Sequence, residues 1–262
     1  MMHVISKHNQ FKKRVFTSKA VTDFNNQRQS ITAENKAHNA NQVISKTNCN
    51  GVENFEKLIE VRNSIHSNSL REFLEELFSD LDILIPFLQV PGSIRQHHNY
   101  VGGLLAHSIE VAETAAQLKY GCTADRDITV VAALLHDIGK IRSYTTNFKT
   151  SNLGKMVSHD HLTLEVCATA LKKLDIDWPD AANTLRHIWT CASPGSRYGF
   201  QPCTPLANIV RFADKLSADN YDLKNAYRNS DAVGFAWNEK DKKYFWKAAN
   251  ENIKTERRRI CF

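Results

Sequence analysis

The chain has 262 residues, 42% of them apolar, with 34 Lys and Arg against 28 Asp and Glu and six cysteines. That length supports a sizeable core, whereas no apolar run approaches the roughly 18 to 20 residues of a membrane-spanning helix and no short apolar core marks a secretory leader. The cysteines are scattered without a CxxC pair, which sets aside a disulfide framework and a cysteine metal site and leads to the expectation of a cytoplasmic chain with reduced thiols.

The first fifty residues hold eight basic side chains and two acidic ones, so they account for the whole net charge of +6. They are rich in Asn, Gln, Ser, Thr and Lys and have no sustained apolar period, so residues 1–51 read as a flexible basic arm. Such an arm suits nucleic acid or an acidic partner.

From residue 52 apolar side chains recur every three or four positions. Leu70, Phe73, Leu74, Leu77, Phe78 and Leu81 form a stripe that predicts one amphipathic helix stopped near Pro86. A second helix is expected after Gly102-Gly103, directing Leu104, Leu105, Ser108, Val111, Ala112 and Ala115 to a core. A third should run from a cap at Asp125 or Asp127 to Gly139. Further helices are expected at 159–174, at 179–191 with Pro179 in its first turn, and at 204–228. Strand-like alternation is scarce. The fold class is therefore all-α over residues 52–250, with a small basic tail at 251–262.

The chemistry concentrates on histidines and carboxylates inside apolar stretches. His107 follows Gly-Gly-Leu-Leu-Ala, His136-Asp137 ends the run Val130–Leu135, and Asp214 interrupts Ile209–Ala213. A carboxylate on a buried face is costly unless it meets a cation or donors, and a divalent ion would satisfy all four groups. Neighbouring His and Asp point about 100° apart on a helix, so both reach one ion only where the helix ends. Trp178 and Trp189 read as packing residues, while Tyr198 and Phe200, in a glycine-bracketed loop, are candidates for base stacking.

His107 in GGLLAHSIEVAE, His136 and Asp137 in ALLHDIGK, and Asp214 in IVRFADKLSADN resemble the signature of the HD-superfamily metal-dependent phosphohydrolases, over about residues 90–222. The resemblance implies an HD-domain-like helical bundle and one or two divalent ions, drawn from Mn, Fe, Ni, Zn and Mg. It makes His107, His136, Asp137 and Asp214 the metal ligands and adds His161 and His187 for a second ion, with Asp137 bridging. His159 rivals His161. Members with the fullest dinuclear set carry a further His after the position of His187, where this chain has Ile188 and Trp189. Asp137 and Lys140 are the expected catalytic pair, and Lys140, Arg95, His98 and Tyr198 are expected to contact substrate.

The segment PGSIRQHHNYVGGLLAHSIEVAE is similar to the HD domains of bacterial 3′-to-5′ exoribonucleases and of conjugative relaxases. The first expectation is thus a metal-dependent phosphodiesterase acting on single-stranded nucleic acid. A small-nucleotide phosphohydrolase, whether a nucleotidase, a dNTPase or a cyclic-nucleotide phosphodiesterase, is the alternative, and a non-catalytic metal-containing module is the third.

Overall fold

The apolar stripe around Leu70 folds as two helices, not one. In a computed structural model, which describes residues 50–193, 195–197, 199–227, 233–239 and 242–249, α1 (Asn50–Asn63) precedes α2 (Asn68–Phe78) and α3 (Leu81–Gln89). The basic tail and all but the last two residues of the arm lie outside the described residues. Ser67 caps α2 by accepting the Leu70 N–H, and Leu70, Phe73, Leu74, Leu77 and Phe78 are buried. Burial of each such side chain contributes about 1.5 to 3 kcal/mol as an upper estimate.

The break comes at Ser79-Asp80, not at Pro86. Asp80 adopts an extended backbone and accepts the Asp82 N–H, which starts α3. Pro86 lies inside α3, which runs three residues further. The proline costs chiefly the one bond its missing N–H would have made to Asp82.

Gly102 and Gly103 begin α4 (Gly103–Ala116) for different reasons. Gly102 has φ +79°, whereas a Cβ on Gly103 would stand 2.0 Å from the His98 carbonyl oxygen. All six apolar or small residues expected to face inward from α4 are buried. Alongside it packs α5 (Thr123–Leu135), with Ala132 and Ala133 fully buried. The cap of α5 is Cys122, whose sulfur accepts the Asp125 N–H, and not either aspartate. Asp127 is buried and accepts the N–H groups of His66 and Ser67, at 2.7 and 2.8 Å, so it holds the α1–α2 turn instead.

After a tight turn come α6 (Lys140–Ser143), a 3₁₀ turn at Leu153–Lys155, α7 (His159–Asp177), α8 (Pro179–Thr190) and α9 (Pro205–Ala226). Pro179 occupies the first turn of α8 as expected. Trp178 packs against the core, and Trp189 is buried with its ring N–H donating to the Ala132 carbonyl at 3.0 Å. Among the described residues, no helix is long and apolar enough to cross a membrane.

The chain divides into two compact units, one ending at Asp214 and one starting at Lys215. In the second, the otherwise helical chain acquires an antiparallel hairpin of β1 (Gly234–Asn238) and β2 (Lys243–Lys247), with Phe235 opposite Trp246 and Trp237 opposite Tyr244. Aromatic residues favour a pleated strand, a preference that the helical reading of this stretch did not weigh. The Tyr227 hydroxyl ties the hairpin to the end of α9 by donating toward the carbonyls of Gly234 and Phe245.

Candidate metal centre

Four residues from three segments converge, three of them largely buried and Asp214 half-exposed. His107 projects from α4 with no exposed surface, His136 and Asp137 close α5, and Asp214 lies on α9. His107 Nε2 is 3.1 Å from Asp214 Oδ1 and 3.6 Å from Asp137 Oδ2. His136 Nε2 lies 3.4 Å from the same Asp137 oxygen and 3.7 Å from Asp214 Oδ1. The ligand atoms of His107, His136 and Asp137 all fall within 4.8 Å of one another, as do those of His97, His107 and Asp214.

The turn that brings the doublet together differs from the expected one. Helix α5 ends at Leu135, and i to i+3 bonds from Ile138 to Leu135 and from Lys140 to Asp137 tighten the chain. Gly139 keeps a right-handed φ of −58° and so supplies no left-handed stop. Its role is close approach: a Cβ there would stand 2.0 Å from the His159 carbonyl oxygen and 2.6 Å from the Thr163 nitrogen. Thr163 Oγ1 accepts the Gly139 N–H at 3.1 Å, pinning the start of α7 against the doublet.

The donor set fits a divalent ion. His136 places Nδ1 2.8 Å from the Ala133 carbonyl, which fixes that nitrogen as the donor and presents Nε2 as a ligand. This Nε2 is buried and makes no hydrogen bond. Imidazole nitrogens beside carboxylate oxygens suit Mn, Fe, Ni or Zn better than Mg.

The charges are balanced without an ion by a lysine and a proton. Burial opposes the Lys140 charge, but Asp137, 2.5 Å from its Nζ, outweighs burial and raises the ammonium above its usual range. Burial likewise opposes ionised Asp137, yet Lys140 and His136 hold it well below the usual carboxylate range. His136 is pushed up to about 10, with Asp137 overcoming the cost of burial. His97 moves the other way, to about 4, through burial and then the nearby His107. Burial also lowers His107.

This balance has a measurable consequence. The raised His136 adds stability that is complete below pH 6.5, its ordinary value, and is lost as pH rises through about 10. The metal-free protein should therefore melt lower at about pH 9 than at pH 7, and a bound ion should remove that slope. At pH 7, binding should release about one proton per ion, from His136. Calorimetric titration in buffers of different ionisation enthalpy measures it; zero release would contradict the arrangement.

Some expected site residues are elsewhere. His159, not His161, faces the doublet, with Nε2 3.1 Å from Asp137 Oδ1. Two residues turn a helix by about 200°, so His161 points away and meets Ser158 Oγ at 2.6 Å. His187 Nε2 accepts the Cys203 N–H at 3.0 Å and so is engaged outside the cluster. Lys140 is buried and reaches the Gly92 carbonyl as well as Asp137. Arg95 is exposed in the loop after α3. His98, at φ +54° and buried, meets Tyr100 and Glu110 with its nitrogens while its ring lies 5.3 Å from that of His107; its neighbour His97, 5.2 Å from the same ring, is the one whose nitrogen groups with His107 and Asp214. Sequence pointed to the His-His pair but not to which member offers a nitrogen to the cluster. Tyr198 lies outside the described residues; Phe200 is exposed.

Comparison with known proteins gives the family of the chain. The HD domain family matches residues 104–219. The chain is 33% identical, over 184 residues, to a dihydroneopterin 2′,3′-cyclic phosphate phosphodiesterase of Methanocaldococcus jannaschii, covering 64% of this chain and 70% of that protein. It is 30% identical over 142 residues to the 3′-5′ exoribonuclease YhaM of Shouchella clausii, covering 53% of this chain but 43% of that enzyme. The YhaM of Listeria innocua is 25% identical over 177 residues, with 52% of its length covered. The chain thus spans about half the length of the exoribonucleases it matches. No solved structure gives a significant match.

Proposed function

We propose that this chain, which belongs to the HD-domain family of metal-dependent phosphohydrolases, hydrolyses phosphodiester bonds in single-stranded nucleic acid. The observation that carries the reading is the convergence of His107, His136, Asp137 and Asp214, with the buried His136 Nε2 turned toward both carboxylates. A divalent ion bound there would acidify its water toward neutrality and offset phosphate charge. The chain's own contribution is to keep that point ionised and oriented. Lys140 holds Asp137 deprotonated, the Ala133 carbonyl sets the His136 tautomer, and His97 adds a neutral imidazole beside His107 and Asp214.

The two oxygens of Asp137 face different donors, Oδ2 toward His107 and His136 and Oδ1 toward His159. That supports a bridging carboxylate, with His159 on the side of a second ion. His187 would have to release the Cys203 N–H to join it. We assign residues 52–250 to the catalytic domain and place it in the cytoplasm. The arm at 1–51 and the tail at 251–262 serve electrostatic recruitment, of the strand itself or of an acidic partner.

The choice of a strand rests on the exoribonuclease relatives and on the basic arm. The archaeal relative, whose name gives a small cyclic phosphodiester, favours a second reading in which such a molecule is the substrate. A panel of a labelled RNA strand, a labelled DNA strand and a nucleoside 2′,3′-cyclic phosphate, each with Mn, Ni, Zn or Mg, separates them. Shortening of a strand, slowed by deleting residues 1–50 and by added salt, is the expected result. Turnover of the cyclic phosphate alone, unchanged by the deletion, would replace this reading with the second.

A further inference from the structure

Four large aromatic side chains share the outer face of the hairpin. Phe235, Trp237, Tyr244 and Trp246 are 74%, 42%, 67% and 59% exposed, and the antiparallel register sets them in two facing pairs. Neighbouring rings meet at interplanar angles of 60° to 78°, with centroids 4.8 to 6.1 Å apart. Two of these contacts are edge to face and the Phe235–Trp246 one is tilted, so the rings are not stacked on one another and leave faces open to a third partner. The opposite face is the anchored one, where Tyr227 holds the Gly234 and Phe245 carbonyls. A contiguous exposed apolar patch of this kind marks an interaction surface.

Charge identifies the partner. Residues 215–262 carry eleven Lys or Arg against seven Asp or Glu, whereas residues 51–214 carry fifteen against nineteen. The aromatic face thus belongs to the basic unit and not to the acidic one. Of the exposed hairpin lysines, Lys242 pairs with Glu239, which also accepts the Trp237 ring N–H, whereas Lys243 and Lys247 alternate onto the anchored face, over the rings of Phe245 and Tyr227. No aliphatic side chain interrupts the aromatic face, as a groove for an apolar peptide would require. Open aromatic faces on a net basic unit are what unpaired bases and their phosphates need.

We propose that the outer face of the β1–β2 hairpin is a stacking platform for single-stranded nucleic acid. This deepens the strand reading of the substrate, and its test measures binding, not cleavage. Full-length chain in EDTA is titrated into a labelled oligo(U) strand and followed by fluorescence anisotropy. A leucine keeps apolar area but has no π face, so Y244L combined with W246L should weaken binding about tenfold or more, while W246F should stay close to wild type. Both variants should retain wild-type hydrolysis of a small chromogenic phosphodiester once metal is restored, which also reports correct folding.

Unchanged strand binding by Y244L/W246L would overturn the platform. So would its loss of affinity for phosphatidylglycerol vesicles, or of self-association in sedimentation, with strand binding intact, since these identify a membrane or a second copy as the occupant. If the wild type shortens strands while the leucine variant binds them equally well, the platform fails and the substrate reading stands. If the wild type neither binds nor cuts strands, both fail.

Discussion

Asp137→Asn should lower metal-dependent hydrolysis of a small phosphodiester by about a thousandfold or more, the order expected when a centre loses the charge that holds its ion. The substitution keeps side-chain size and isolates charge. In the native chain one Asp137 oxygen faces His107, His136 and Lys140 and the other faces His159, so four side chains share this one carboxylate. Asparagine cannot serve two ions and cannot neutralise the Lys140 ammonium 2.5 Å away. Breaking a buried pair by removing one partner costs about 3 to 5 kcal/mol, so the metal-free variant should also unfold at lower urea. The same loss should let His136 titrate lower, because Asp137 is the largest influence raising it. Activity within tenfold of wild type would remove Asp137 from the centre.

Gly139→Ala should destabilise the protein by about 3 kcal/mol, against the sign that helix propensity alone suggests. Gly139 has right-handed dihedrals, where alanine normally gains up to about 1 kcal/mol. The overlap is the larger effect: the new Cβ would stand 2.0 Å from the His159 carbonyl oxygen and 2.6 Å from the Thr163 nitrogen, both backbone atoms that no rotamer change can move. Relief requires α7 to shift from the doublet, which displaces His159 from Asp137 and weakens metal binding together with stability. Gly121 supplies the control, since a Cβ there meets nothing within 4 Å and Gly121→Ala should stay within about 0.5 kcal/mol of wild type. Urea denaturation of the two variants checks both, and an unchanged Gly139→Ala midpoint would mean α7 does not press on the turn.

These positions show which features a sequence can carry. The 3.6-residue apolar period located α4, α7, α8 and α9, because burial of one face repeats along the chain. The order His107, His136-Asp137, Asp214 was also legible, since each lies at an abrupt polar break in an apolar run. Features decided by distant partners were not legible. Asp127 looks like a local cap but is drawn to the N–H groups of His66 and Ser67, sixty residues away. Whether His159 or His161 turned inward depended on where α7 begins, and which of His97 and His98 offers its nitrogen to the cluster depended on a loop with a left-handed φ at His98. Gly139 read as a stop because a glycine's need for space and its need for a positive φ look identical in one letter. The hairpin escaped because each strand is only five residues long and β2 carries three consecutive aromatic residues in place of an alternation.

The central claim is that His107, His136, Asp137 and Asp214 hold the divalent ion. Anomalous diffraction at the manganese edge from crystals soaked in manganese tests it most directly. This account expects an anomalous peak enclosed by those four side chains, lost in crystals of Asp137→Asn. A peak at His187 and Cys203 instead, with none between His107 and Asp214, would contradict it.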